Sequence, residues 1–471
     1  MQMPTCPITL AEIREPVISS VDGYTYEKSA ILSWLSTNRI SPMTKQPMTE
    51  SDLIPNRALF KYDTIAPQVS NERKEFKVYR NSDATWVKVV PPETTVRFPV
   101  NIMFVIDTSG SMGLTDNTKS SEQSLVTRLD LVVHSAITII NMLNENDSLG
   151  IISFNHHSTL NFTPTRMTVT NKELAKNTLY NLEANGRTYI WDGIKLALET
   201  VSDNYNVIVL TDGESDVEPP RGTLSMFKNA KFTSMFHFFG YGYKLDLPLL
   251  KSLAMFSGGW FAFVPDASIV GSTFVNFISH ILSCAGNSIF VNKNIRKGSV
   301  LFEKSKYIYN QDRIHSINID GVDYEILLKE DEFSGDYQDN QTFISLVRSK
   351  NLTTLMPWAK ERPTFSPAIY ETPDNPDGTG QIYKAFKQEY ANVWGNIYIE
   401  TMMIALDTQY CPNFKDSFLF QFGDTNVFRT YQSEAEDKFL NMQIRIKNNM
   451  YSSHDQPQTV QSTSYYNLSG G

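Results

Sequence analysis

The sequence predicts an α/β multidomain protein built on a doubly wound parallel sheet over residues 98–285. A small turn-rich unit precedes the sheet, and a β-rich, then helical, region follows it. Three observations predict this. Apolar runs at 100–106, 149–152 and 207–210 read as strands buried on both faces. Amphipathic stretches alternate with such runs, notably 125–143 and 191–200, as crossover units on a parallel sheet do. Residues 4–62, in contrast, are compact, crowded with turn residues and unlike the rest.

Whole-chain properties set bounds. The 471 residues accommodate two to four domains, each with its own core. The expected boundaries are 1–66, a connector at 67–97, 98–285, 286–448 and a disordered polar tail at 449–471. Within the connector, 85–90 alternates well enough for a strand, so the segment is either a spacer or an extra sheet element. A net charge of −9 without any Lys/Arg run predicts no nucleic-acid partner. The three cysteines, Cys6, Cys284 and Cys411, are odd in number and not at zinc-ligand spacing, which predicts a reducing compartment. The first residues, MQMPTCPITL, lack the basic and apolar regions of a signal peptide. No run of about 18 apolar residues offers a membrane span. The expected location is the cytoplasm, with the nucleus as the alternative.

In the amino-terminal unit a loop begins at Cys6-Pro7-Ile8-Thr9, and Asp22-Gly23 marks a hairpin turn. Residues 29–35 have helical spacing, Ser41-Pro42-Met43-Thr44 opens a second loop, and 53–59 leads into another helix. So small a unit normally needs a staple. With one cysteine and no histidine it has no zinc site, so hydrogen bonds, ion pairs and a small core must hold it.

The motifs CPIT, EPVISSVDGYTYEKSAI, SWL, SPMTKQPM and LIPNRAL resemble the U-box, the metal-free relative of the RING finger. The resemblance implies a shallow groove for a ubiquitin-conjugating enzyme (E2), formed by Ile8, Trp34 and Pro42. An exposed Ile, Trp and Pro together would make a binding hot spot. Lys45 stands where many active members carry arginine, whose side chain positions the E2–ubiquitin thioester. Lysine keeps the charge but loses the fork of donors, which weakens the expectation for transfer but not for E2 binding. The family forms no covalent ubiquitin intermediate, so Cys6 is not expected to act as a nucleophile.

In the central region the first apolar run stops on Asp107, which opens Asp-Thr-Ser-Gly-Ser. Asp107, Ser109 and Ser111 stand at alternate positions of a loop that Gly110 lets bend, beyond the carboxyl end of a strand. Such an all-oxygen site with few carboxylates suits Mg²⁺ or Mn²⁺. Thr188, ahead of the helix at 191–200, and Asp212, after the run at 207–210, lie on two further loops. His156 and His157 follow a strand; adjacent strand positions point to opposite faces, so one of them is expected to be solvated, and both read as structural. Asp192, Glu214, Asp216 and Glu218 read as acidic neighbours of the site.

DTSGS, GRTYIWDGI and LTDGE, in that order, resemble the von Willebrand factor A (VWA) domain. Its metal-ion-dependent adhesion site corresponds to Asp107, Ser109, Ser111, Thr188 and Asp212. Three hydroxyls and two carboxylates leave one octahedral position free, which would attract the Asp or Glu of a substrate or adaptor protein. Hydrolysis would also need a general base and a pocket for a nucleophile, and no motif marks these.

Beyond 285, short apolar segments from 290 to 324 read as strands, 340–348 as one more strand, 375–380 as a turn and 381–403 as helix. Together the resemblances imply a U-box E3 ubiquitin-protein ligase that brings an E2~ubiquitin conjugate to a substrate held by a metal-dependent VWA domain. A scaffold without ligase activity is the first alternative. A metal-dependent hydrolase or ATPase accessory is weaker, since no phosphate loop of the form GxxxxGK[ST] occurs.

Overall fold

The computed structural model describes residues 5–9, 13, 16–55, 75–93, 97–115, 126–202, 204–213, 215–265, 269–333, 337–370, 380–412, 419–442, 444–445 and 459–460. The chain forms two compact units, Met1–Glu72 and Arg73–Gly471.

In the first unit, β1 (Pro16–Ser19), β2 (Thr25–Glu27), α1 (Lys28–Thr37) and β3 (Leu53–Pro55) surround a core of Cys6, Ile13, Val17, Tyr26, Ile31, Leu35 and Met48. The sheet order is β2-β1-β3, antiparallel throughout, with Gly23 at φ +72° closing the expected hairpin. The helix expected to begin within 53–59 is corrected in part. Leu53–Pro55 is extended because it pairs with β1, Ile54 opposite Ile18, and residues 56–59 lie outside the described residues.

Asp22 does the stapling. Ser41 Oγ donates to its Oδ2 at 2.5 Å, the Tyr26 hydroxyl to the same oxygen at 2.7 Å, and the Tyr24 amide to Oδ1 at 2.9 Å. Burial pushes the carboxyl up, but these hydrogen bonds outweigh it and hold it below the usual carboxylate range. Asp22→Asn is expected to cost about 2 kcal/mol, read as lost amide-exchange protection across β1 and α1. The sign follows from the lowered folded-state value. Asp22 contributes fully above the unfolded carboxyl's pKa of about 4, and its contribution fades as pH falls through the folded value. The difference between wild type and variant should therefore shrink in acid.

The second unit opens with a hairpin of β4 (Lys77–Arg80) and β5 (Trp86–Val90). β5 pairs with Lys306–Tyr309 and β4 runs parallel to Leu327–Leu328, so this part of the connector is a sheet element. Val78, Val87 and Val89 share a core with Ile289, Val291, Ile308, Ile317 and Ile319, and strands from both sides of the central region thus make one β-rich body.

There follow β6 (Asn101–Asp107), α2 (Arg128–Met142), β7 (Ser148–Phe154), β8 (Ser158–Arg166), α3 (Val169–Tyr180), α4 (Ile190–Thr200) and β9 (Tyr205–Thr211). The region closes with α5 (Thr223–Asn229), β10 (Met235–Tyr241), α6 (Leu247–Ser257), β11 (Phe261–Val264) and α7 (Val270–Leu282). The sheet order is β11-β10-β9-β6-β7-β8, parallel except for β8, which lies antiparallel on β7. From β6 the crossover through α2 runs toward β7, whereas those through α5 and α6 run the opposite way. Right-handed crossovers therefore put α2 on one face and α5 and α6 on the other. The direction of winding reverses between β6 and β9, where a doubly wound sheet opens a crevice. β8 escapes sequence reading because STLNFTPTR has no apolar run, and its Pro164 is tolerated on an edge.

The strand expected at 340–348 is corrected: Tyr337–Arg348 is a helix, with Phe343, Ile344 and Val347 buried along one face. The helix Asn426–Asn441 packs on α2 and α7. The ring of Phe439 lies 4.5 Å from that of His134, and Gln432 Nε2 donates to Asn276 Oδ1 at 2.8 Å. The turn expected at 375–380 lies outside the described residues except for Gly380. The tail at 449–471 lies outside them except for Thr459–Val460, which pairs with Ile444–Arg445. Among the described residues no helix is long and apolar enough to cross a membrane.

Candidate functional site

Because β6 and β9 are neighbours, their carboxyl ends bring Asp107 and Asp212 to one place. Asp107, Ser109, Thr188 and Asp212 are buried, and Ser111 is half-exposed at the opening. Asp107 accepts the Ser109 amide at 2.8 Å and the Thr211 hydroxyl at 2.6 Å. Ser109 Oγ and Ser111 Oγ are 3.1 Å apart, and Ser111 Oγ donates to Asp212 Oδ1 at 2.7 Å. A Cβ on Gly213 would stand 3.9 Å from Thr188 Oγ1 and 4.0 Å from Ser111 Oγ, so both hydroxyls flank that bare backbone. All five oxygen-bearing side chains thus gather at the three loops.

The loops are stitched together by backbone bonds. Gly110 N donates to Gly186 O at 3.0 Å, and Gly186 holds φ +75°, where a Cβ would stand 2.7 Å from His156 Nδ1. The Thr188 amide donates to Asp216 Oδ2 at 3.0 Å, and the Asp216 amide to Thr188 O at 2.9 Å. Asp216 therefore locks the second loop to the third, and Asp192 and Glu218 tie down Ser158 and Thr223. Glu214 lies outside the described residues. His156 and His157 follow β7, as expected, and stand in a bend where both are exposed, which corrects the expectation that only one is solvated.

Electrostatically the site is tight. Burial and then the neighbouring Asp212 push the Asp107 carboxyl up to about 6, although bonds from Thr211 and Ser109 oppose the rise. A second feature has no motif behind it: Arg128 Nη1 stands 2.5 Å from Asp212 Oδ2. Among the described residues no group of three or more His, Cys, Asp or Glu gathers as a metal cluster. Two carboxylates and three hydroxyls are hard oxygen groups of the kind that could hold a hard divalent cation.

In the amino-terminal unit Ile8 and Trp34 are half-buried, both resting on the core, and the indole N–H donates to Ile40 O at 2.8 Å. The loop carrying Pro42 is closed by Ser41 N to Gln46 O at 2.8 Å. Lys45, at φ +62°, folds back: its Nζ donates to Pro42 O at 3.1 Å and sits 5.5 Å from the centre of the Trp34 ring. Trp34, Pro42 and Lys45 are thereby one patch, and Ile8 shares the core beneath. Cys6 is fully buried and accepts the Glu27 amide at 3.3 Å, an organiser of the first loop with no access for an incoming thioester.

Three family models match parts of the chain. The U-box domain family matches residues 4–62, the von Willebrand factor type A domain family residues 102–214, and the VWA / Hh protein intein-like family residues 374–437. WD repeat, SAM and U-box domain-containing protein 1 of Danio rerio is 48% identical over 64 residues, covering 12% of this chain and 13% of that protein. The E3 ubiquitin-protein ligase LubX of Legionella pneumophila (strain Paris) is 43% identical over 53 residues, 11% of this chain and 22% of that protein. The chain thus spans less than a quarter of either relative. Among solved structures, a von Willebrand factor type A protein from Catenulispora acidiphila aligns over 72% of this chain and 97% of that chain, with 12% identity and a TM-score of 0.47.

Proposed function

From a chain that carries a U-box ahead of a VWA domain, we propose a U-box-type E3 ubiquitin-protein ligase. The amino-terminal unit recruits an E2~ubiquitin conjugate on Ile8, Trp34 and Pro42. It promotes transfer to a lysine by holding the conjugate in a reactive pose, while the E2 supplies the thioester. The observation that carries this reading is the unit itself: a U-box match with Ile8 and Trp34 half-buried on its surface and Trp34 fixed to Ile40. The VWA domain holds a substrate or adaptor. Asp107, Ser109, Ser111, Thr188 and Asp212 bind Mg²⁺ or Mn²⁺, and an Asp or Glu of the partner completes the coordination. The three cysteines, few and all buried, suit a reducing compartment, the cytoplasm or nucleus.

The geometry of Lys45 favours a weakened ligase, or at the limit a scaffold. Its ammonium is turned onto Trp34 and the Pro42 carbonyl. Lys45→Arg supplies the planar fork and is expected to raise the rate of ubiquitin discharge from a charged E2 severalfold without changing E2 affinity. Equal rates for the two proteins, each active, would remove position 45 from the positioning role. Failure of both to discharge any E2 of a broad panel would favour the scaffold.

A further inference from the structure

Arg128 is the first residue of α2. A capping box of Thr127 and Asp130 fixes the helix start, and the Arg128 amide donates at 3.1 Å to Leu114 O, three residues beyond Ser111. From that anchor the side chain reaches the loop after β9, to Asp212. The guanidinium lies against Gly242, at φ +73°, where a Cβ would stand 3.3 Å from Nη2. Bare backbone makes room for the fork. Asp212 is held on both sides, by Ser111 at Oδ1 and by Arg128 at Oδ2. The Asp212 side chain is fully buried, whereas that of Arg128 is 20% exposed and lies toward solvent.

A divalent cation in this site draws on the same carboxylate. Asp107 and Asp212 together offer two negative charges, and the guanidinium neutralises one of them. In a site shielded from water, a cation and a guanidinium on one carboxylate repel each other strongly. We propose that Arg128 is a tethered competitor of the divalent cation: it pairs Asp212 when the cation is absent and is displaced when the cation binds. Cation affinity is thereby held low enough for occupancy to follow concentration. This rests on the five oxygen-bearing residues being the cation site.

The test is a Mn²⁺ titration of the full chain by calorimetry, with thermal unfolding alongside, for wild type, Arg128→Gln, Arg128→Lys and Asp107→Ala. Arg128→Gln is expected to bind Mn²⁺ about tenfold tighter or more. It should unfold earlier than wild type without Mn²⁺ and recover at saturation. Undiminished binding by Asp107→Ala would sink the cation site itself. Loss of binding in Asp107→Ala, with Arg128→Gln no tighter than wild type, would leave the site standing and overturn the competition. Should Arg128→Gln not fold, Arg128→Lys, which lacks the fork, must still bind severalfold tighter; affinity equal to wild type then overturns the proposal.

Discussion

Asp107→Asn is expected to lower Mn²⁺ or Mg²⁺ affinity by more than about a hundredfold while the larger unit stays folded. Even partners outside the ligand set typically cost ten- to a hundredfold in metal binding, and Asp107 supplies one of the two carboxylates. The residue is fully buried and has two donors to satisfy, the Thr211 hydroxyl and the Ser109 amide. Asparagine keeps one acceptor oxygen for them, whereas alanine leaves both unmet and costs about 2–4 kcal/mol in addition. The two variants therefore separate binding from folding. Capture of an acid-bearing partner should vanish with the cation, and substrate-free chain synthesis by the U-box should persist. Unchanged Mn²⁺ affinity in a folded Asp107→Asn protein would place the cation elsewhere.

The second large effect is on the E2. Ile8→Ala is expected to weaken E2 binding at least about tenfold, because truncating an apolar anchor in a small interface removes a hot spot. Trp34→Ala should do the same and also destabilise the unit. It deletes the indole N–H bond to Ile40 and removes a half-buried ring packed against the core of the unit. Ile8→Ala is the cleaner probe, since Ile8 contributes only part of its surface to the core. Exchange protection of β1 and α1, measured beside the titration, tells lost binding from lost fold.

Much of this architecture is legible locally. β6 and β9 announce themselves as continuous apolar runs, and Asp107 and Asp212 follow because strands end where polar loops begin. Their meeting depends on strand order, which no local pattern encodes. Arg128 shows the limit. The sequence Thr-Arg-Leu-Asp displays its capping box, but nothing near it reveals that the side chain crosses to Asp212. The same holds for β5, whose alternation suggests a strand while its partner at Lys306–Tyr309 lies more than two hundred residues away. Tyr337–Arg348 was misleading for a different reason: its aliphatic and phenylalanine residues, Phe343, Ile344, Leu346 and Val347, fall within so short a stretch that alternation and helical spacing compete. Tertiary contact decides such segments.

Ligase activity is read by single-turnover discharge of ubiquitin from a panel of charged E2 enzymes onto lysine, comparing the full wild-type chain with Ile8→Ala. Discharge from at least one E2 is expected to be faster in the presence of wild type, and to return to the unassisted rate with the folded Ile8→Ala protein. Discharge that is equally fast with both proteins, or unassisted with every E2 that wild type demonstrably binds, would contradict that expectation.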